Sequence, residues 1–250
     1  MTNERLPRLH RFAAARFSPE GEYGLHLTAG VAMLLLAMAV FAHMAGAVVA
    51  GAPITQLDVE VANWLHAHAR TNEGLRGFLL LVTHMHSTPG ILIMAALAGI
   101  WLYRKGHRYW PIALVASVPG GQILNVLLKH TFERARPHFA EPLLELGTYS
   151  FPSGHAMGAT VLYGFLACYA ACHARSWAGR VLPFVLAALM VATVAFSRMY
   201  LGVHYLSDVL AAFAEGCGWL AICITGAATL NRRRRAREGR AGAPVERQEI

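Results

Sequence analysis

The sequence predicts an all-α integral membrane protein with six transmembrane helices and a short interfacial helix in the loop after the first. Three observations carry this. Apolar side chains make up 56% of the 250 residues and charged ones only 14%, against roughly 25% charged in soluble domains. A soluble sphere of this size cannot hide so much apolar surface, and a chain this apolar does not stay disordered. The apolar residues gather into six stretches of spanning length, and the basic residues between them sort by side.

The elements follow in order. Residues 25–50 form the first span. They have a basic front, and Ala45-Gly46-Ala47 resembles a cleavage site, but the run far exceeds the ~7–15 apolar residues of a signal peptide. Residues 51–75 contain LDVEVANWLHAHA, where Asp58 is an N-cap candidate and Val59, Trp64 and Leu65 form a loose apolar stripe. This predicts the interfacial helix, with Trp64 as its anchor. Spans two to six are expected at 78–103, 109–128, 156–173, 181–196 and 205–230. The fourth and fifth fall short of about 20 residues and rely on flanking side chains that snorkel. The chain divides into a basic cytoplasmic segment 1–24, a membrane body 25–230 and a basic cytoplasmic tail 231–250.

Net charge is +8, from 22 Lys and Arg against 14 Asp and Glu. Sixteen of the 22 precede the first span, lie between spans two and three or four and five, or follow the sixth. The positive-inside rule makes that side cytoplasmic and puts both termini there. The run Arg232 to Arg235 then reads as a topology determinant beside anionic lipid, and no nucleic-acid partner is expected. Six cations oppose the bias: Arg70, Arg76, Lys129, Arg134, Arg136 and Arg198. These call for a functional reason.

Three segments on that outer side carry chemistry. Lys129 and Arg136-Pro137 are seven apart, so a continuing helix would turn both cations one way, while Pro137 pushes the chain into a loop. Such a pair suits an anion, although Lys129 alone fits a snorkelling cation. Pro152-Ser153-Gly154-His155 opens the fourth span. Ser153 is an N-cap candidate, Gly154 allows close approach, and the helix N-terminus offers free N–H groups to a phosphate; the plainer reading is an ordinary capped helix with an incidental His155. In Ser197-Arg198-MYLGV-His204-YLS-Asp208, His204 and Asp208 share a helix face at i, i+4. Asp208 can fix the imidazole tautomer and leave the other nitrogen nucleophilic. Arg198 adds a cation suited to phosphate oxygens, or forms a surface salt bridge with Asp208. Together these are the parts phosphoryl transfer uses: cations for the equatorial oxygens, an in-line nucleophile and an acid for the leaving oxygen. No carboxylate cluster suggests a metal.

The ordered triple Lys-x6-Arg-Pro, Pro-Ser-Gly-His and Ser-Arg-x5-His-x3-Asp resembles the signature of the type 2 phosphatidic acid phosphatase family, shared with vanadium haloperoxidases. Every specified position is present. The resemblance implies that His204 attacks phosphorus and forms a phosphohistidine, that Asp208 orients it, and that His155 protonates the leaving oxygen and then activates water. It implies that Lys129, Arg136, Ser153, Gly154 and Arg198 bind the phosphate, with no cofactor or metal. Haloperoxidases are soluble, which six spans disfavour. The expected function is hydrolysis of a lipid phosphate or diphosphate at the outer leaflet of a bacterial inner membrane, with the site periplasmic and no obligate protein partner. Undecaprenyl diphosphate is preferred by analogy with small six-span members; phosphatidylglycerol phosphate, phosphatidic acid and lipid A phosphates also occur in the family. The alternatives are lipid-to-lipid phosphotransfer and, from another class, non-catalytic lipid binding or transport, which would need neither His204, Asp208 nor His155.

Other residues stay outside this assignment. Cys168, Cys172, Cys217 and Cys223 read as small packing residues. His84 and His86 read as interface packing, and His130 and His138 as exposed. Glu215, seven residues beyond Asp208, faces the same way about 10 Å deeper. It reads as functional, or as a neutral glutamate bonded to Gln122 or Asn125 in the third span.

Overall fold

The computed structural model describes residues 16, 18, 24–107, 109–144 and 146–241. The expected N-terminal segment, apart from residues 16, 18 and 24, and the tail beyond residue 241 lie outside the described residues.

The described residues form eight α-helices and no strand: α1 Leu25–Val49, α2 Pro53–Thr71, α3 Glu73–Met85, α4 Thr88–Arg104, α5 Tyr109–Phe132, α6 Gly154–His173, α7 Trp177–Tyr200 and α8 Leu206–Ala241. In a bilayer every backbone polar group must be satisfied within the protein, which favours helices of this length. Five of them are long and apolar enough to cross a membrane, and the pair α3–α4 makes a sixth if taken as one span.

Two expectations change here. The second apolar stretch is not one rod: α3 and α4 meet at a 61° bend. Sequence explains the break. Ser87 accepts from the Gly90 N–H as a new N-cap, Pro89 follows in the first turn, and a Cβ at Gly90 would run into the Met85 carbonyl. The helix after the first span begins at Pro53, five residues before Asp58, so Asp58 is interior and fully buried rather than an N-cap. Trp64, on the same helix, is 61% exposed.

Helix α6 is the axis of the bundle. It packs against α4, α5, α7 and α8, and α1 lies outside along α8. Much of α6 is buried, including Ala156, Met157, Ala159, Val161, Leu162 and Phe165, as expected for a helix apolar all round. The α6–α8 crossing matters for the site, because α6 carries His155 and α8 carries Asp208. It depends on Gly216, where a Cβ would lie 2.7 Å from the Thr160 Cβ and 3.3 Å from the Met157 carbonyl oxygen. Further along α8, Trp219 donates from Nε1 to the Ser117 carbonyl at 2.8 Å and fixes α8 to α5. At the site end, Phe151 is wedged between Phe41 of α1 (5.8 Å between centroids) and Phe132 of α5 (5.1 Å), which anchors the segment leading into α6.

Gly216→Val is expected to destabilise the protein by about 1–3 kcal/mol, the range for overpacking a close crossing. Gly226→Ala, on the same helix with nothing within 4 Å of its Cβ direction, should be neutral or slightly stabilising. Thermal unfolding in one detergent compares the two.

Candidate active site

The site is built at the start of α8. Gly202, at φ 72°, turns the chain out of α7. His204 and Tyr205 follow, and Asp208 sits in the first turn of α8, where a carboxylate is favoured by the helix dipole. Asp208 Oδ2 accepts from the Tyr205 N–H at 2.9 Å, closing the first turn from within as a capping-box acid does. The same oxygen lies 3.3 Å from His204 Nδ1 and accepts from the Ser150 hydroxyl. Its other oxygen accepts from Arg134 Nη1 at 2.6 Å. An Nδ1 aimed at a carboxylate carries the proton, so the Nε2 lone pair is left outward. There it meets Arg136 Nη1 at 3.3 Å.

His204 is buried, and its pKa is lowered to about 3. Burial is the largest cause; the Asp208 hydrogen bond and charge oppose it, and the Arg136 and Arg198 charges add to it. The imidazole is therefore neutral near pH 7, the state a nucleophile needs. Arg134 has its pKa raised: burial works against the cation, but Asp208 and Asp58 together outweigh it.

The other residues expected from the sequence converge on this dyad, some of them in unexpected ways. Helix α5 ends at Phe132, so Lys129 and Arg136 do not share a helix face; the loop folds back to join them. Lys129 Nζ donates to the Tyr149 and Ser150 carbonyls at 2.7 and 3.3 Å. Arg136 donates to the Thr148 carbonyl and hydroxyl, the Tyr149 carbonyl and the Val203 carbonyl. With the His204 contact, that uses all five of its N–H groups. Both cations thus staple the loop across the site. Ser153 stands at the N-cap position of α6, but its hydroxyl makes no cap bond. Instead Ser153 Oγ is buried without a partner, and its backbone N–H meets the Asp208 carbonyl at 3.2 Å. Gly154 is needed because a Cβ would come 2.9 Å from Asn125 Oδ1. His155 is the second residue of α6, and the Cβ direction of its neighbour Gly154 lies 4.0 Å from the Lys129 side chain. Arg198, only 1% exposed, does not pair with Asp208. Its Nη1 donates to Thr83 Oγ1 of α3, and its Nε is buried without a partner.

Several residues here had no role in the sequence reading. Arg134 was legible only as one of six cations against the topology bias, and Asp58 only as a presumed cap. Ser150 and Thr83 gave no signal, because their partners, Asp208 and Arg198, are distant in sequence and only the folded chain brings them together. His86 packs inside the fold, not at an interface: Nδ1 meets the Val82 carbonyl at 2.8 Å and Nε2 meets the Tyr163 hydroxyl at 2.6 Å. Glu215 Oε2 accepts from Asn125 Nδ2 at 2.9 Å and its Oε1 is buried without a partner, while Gln122 reaches the Gly154 carbonyl instead. Beside Arg136 a cavity of about 630 Å³ opens, lined by Arg136, Pro137, His138, Phe139, Gly202 and Val203 among others.

Comparison with known proteins gives a consistent picture. Residues 110–232, which hold all three motifs, match the model of the PAP2 superfamily. The chain is 36% identical over 147 residues to phosphatidylglycerophosphatase B of Bacillus subtilis, covering 58% of this chain and 70% of that protein. It is 34% identical over 130 residues to decaprenylphosphoryl-5-phosphoribose phosphatase of Mycobacterium tuberculosis, covering 51% and 66%. In fold it resembles the crystal structure of a transmembrane PAP2 type phosphatidylglycerolphosphate phosphatase from Bacillus subtilis, with TM-score 0.63 and 24% identity over 88% of this chain and 98% of that one.

The buried neutral His204 has a consequence for acid stability. The unfolded chain takes up its proton near 6.5 and the folded one only near 3. Between these values the unfolded state binds more protons, so stability falls as pH falls through the window and is unaffected by this group above it. His204→Gln should remove that slope. Thermal scans from pH 7 to pH 4 are expected to show wild type losing more stability than the variant.

Proposed function

The chain belongs to the PAP2 superfamily, and we propose that it hydrolyses lipid phosphates at the membrane surface through a phosphohistidine on His204. One observation carries this most: beside a carboxylate-backed histidine, two buried polar groups from separate motifs, Ser153 Oγ and Arg198 Nε, are left without partners. A buried donor without a partner is costly, and a phosphate oxygen would satisfy both.

The proposed reaction runs in two halves. His204 Nε2 attacks phosphorus in line, forming a P–N bond as the P–O bond to the lipid alcohol breaks. His155 gives its proton to the departing oxygen. Asp208 keeps the Nδ1 proton in place and balances the positive charge that grows on the imidazole. His155 then takes a proton from water, the resulting hydroxide attacks phosphorus, and inorganic phosphate leaves with the P–N bond broken. Arg198, Ser153, the Gly154 N–H and Lys129 hold the non-bridging oxygens. Arg136 joins by exchanging its contact with Nε2 for an oxygen. The cations here supply the charge stabilisation that Mg²⁺ supplies elsewhere, and their combined charge disfavours a divalent cation in the same space.

For substrate class, the relatives' names point to phosphate monoesters on lipids, one a glycerophospholipid and one a polyprenyl lipid. We place a monoester such as phosphatidylglycerol phosphate first and keep undecaprenyl diphosphate, preferred from sequence, as the competitor. Orientation follows from charge. Arg104, Lys105, Arg175, Arg180 and Arg232 lie at the end of the bundle opposite His204, so the positive-inside rule supports an outward-facing site with cytoplasmic termini.

Phosphate release by purified protein, measured across phosphatidylglycerol phosphate, phosphatidic acid, undecaprenyl diphosphate and a lipid A phosphate at matched detergent, tests the proposal. The monoesters should be fastest, EDTA should leave the rate unchanged, and His204→Ala should abolish it. Near-normal release by His204→Ala overturns the mechanism, and a strong preference for the diphosphate overturns the substrate assignment.

A further inference from the structure

Helix α2 carries no motif residue, yet it contributes a fully buried carboxylate to the site. Asp58 Oδ2 accepts from Arg134 Nη2 at 2.8 Å, and Arg134 Nη1 reaches Asp208 Oδ1 at 2.6 Å. Ser207 joins Asp58 and Arg134: its N–H donates to Asp58 Oδ1 at 2.9 Å and its hydroxyl to Asp58 Oδ2 at 2.5 Å, while Arg134 Nη1 donates to that hydroxyl at 2.7 Å. The Arg134 guanidinium also stacks on Tyr205 at 4.3 Å. Asp58 and Asp208 are both 0% exposed.

We propose that Asp58, acting through Arg134, is a positioning residue for the nucleophile, and that α2 is therefore part of the catalytic apparatus. This rests on His204 being the nucleophile. The geometry gives each atom a task. Arg134 occupies Asp208 Oδ1, which leaves Oδ2 for His204 and fixes the rotation of the carboxylate. A guanidinium on a long side chain would swing if held at one end. Asp58 holds its other end, and the Ser207 backbone N–H fixes Asp58 to the first turn of α8, one residue before Asp208. The clamp is closed: α2, the segment after α5 and the start of α8 are locked into one frame around the imidazole.

Helix α2 is joined to the site loops at two more places. His66 stacks on Phe139 at 3.8 Å between centroids and 7° between planes, and both lie against Gly202 just before the nucleophile. Arg70 forms an ion pair with Glu141 in the loop that carries Arg136. These contacts keep α2 seated, and Asp58 transmits that seating to Asp208.

Asp58→Asn tests the proposal, since it keeps the size and an acceptor for the Ser207 N–H but removes the charge that holds Arg134. It should lower kcat about 10²-fold, the scale of a misplaced catalytic group, and slow single-turnover formation of the phosphoenzyme equally, with KM little changed. Arg134→Met should behave alike, and Arg134→Lys should recover part of the rate. A second readout needs no substrate. The ¹⁵N resonances of His204 should report an Nδ1-protonated ring in wild type and a mixed tautomer in Asp58→Asn. Wild-type kcat and tautomer in Asp58→Asn overturn the inference, as does a loss explained wholly by fewer active molecules at an unchanged single-turnover rate. If wild type shows the fixed tautomer but releases no phosphate from any lipid, the functional reading fails while the clamp stands.

Discussion

A fully buried carboxylate sets the terms for the rest of this site. Asp208 is 0% exposed at one end of the helix bundle, where an unpaired charge costs several kcal/mol and the chain must supply what solvent would have. Four donors from four places do so: the Tyr205 N–H, the Ser150 hydroxyl, the Arg134 guanidinium and His204 Nδ1. Three of them fix the carboxylate and the fourth is the group it serves. The fold-back of the loop after α5 and the close α6–α8 crossing at Gly216 bring Arg134 and His155 to the same end of the bundle, and α2 braces Arg134 there through Asp58.

The cations then divide by what they already hold. Arg136 and Lys129 are engaged by backbone carbonyls on facing segments, which gives the loop its shape. Arg134 is engaged by two carboxylates. Arg198 differs: it is buried, tied only through Thr83, and has an unpartnered Nε. A site that pairs every buried cation would have no affinity for an anion, and one that paired none would not fold. Arg198 Nε and the Ser153 hydroxyl stay unsatisfied while the other cations are braced, which is the arrangement the proposed phosphate site requires.

Much of this was legible in the chain. Five long apolar helices followed from hydropathy, and the three motifs name by spacing the histidines, Asp208 and the cations that the structure brings to one end of the bundle. What was missed has physical causes. The 61° bend at His86 hides inside a continuous apolar stretch, because Ser87 and Pro89 make a cap without lowering hydropathy much. Lys129 and Arg136 were expected on one helical face, and the helix stops between them. Asp58 looked like a cap because Asp is a favoured N-cap residue and stands just before a loosely amphipathic stretch; its partner Arg134 lies 76 positions away, a distance that no periodicity reports. Arg134 stood out by its side of the membrane, but its role needed the loop's path. Glu215, conspicuous in the sequence, bonds Asn125 through Oε2 and keeps a buried Oε1 without a partner.

The most direct measurement is where the phosphoryl group rests during turnover. In His155→Asn, transfer to the nucleophile from a lipid with a good leaving alcohol should outpace hydrolysis, so a phosphorylated enzyme accumulates. Peptide mapping by mass spectrometry under alkaline conditions, where phosphohistidine survives, should then place the phosphate on His204, with Nε2 identified by NMR. Phosphate on any other residue, or continued turnover with no labelled His204, would contradict the arrangement described for Arg134, the imidazole and the Asp208 carboxylate between them.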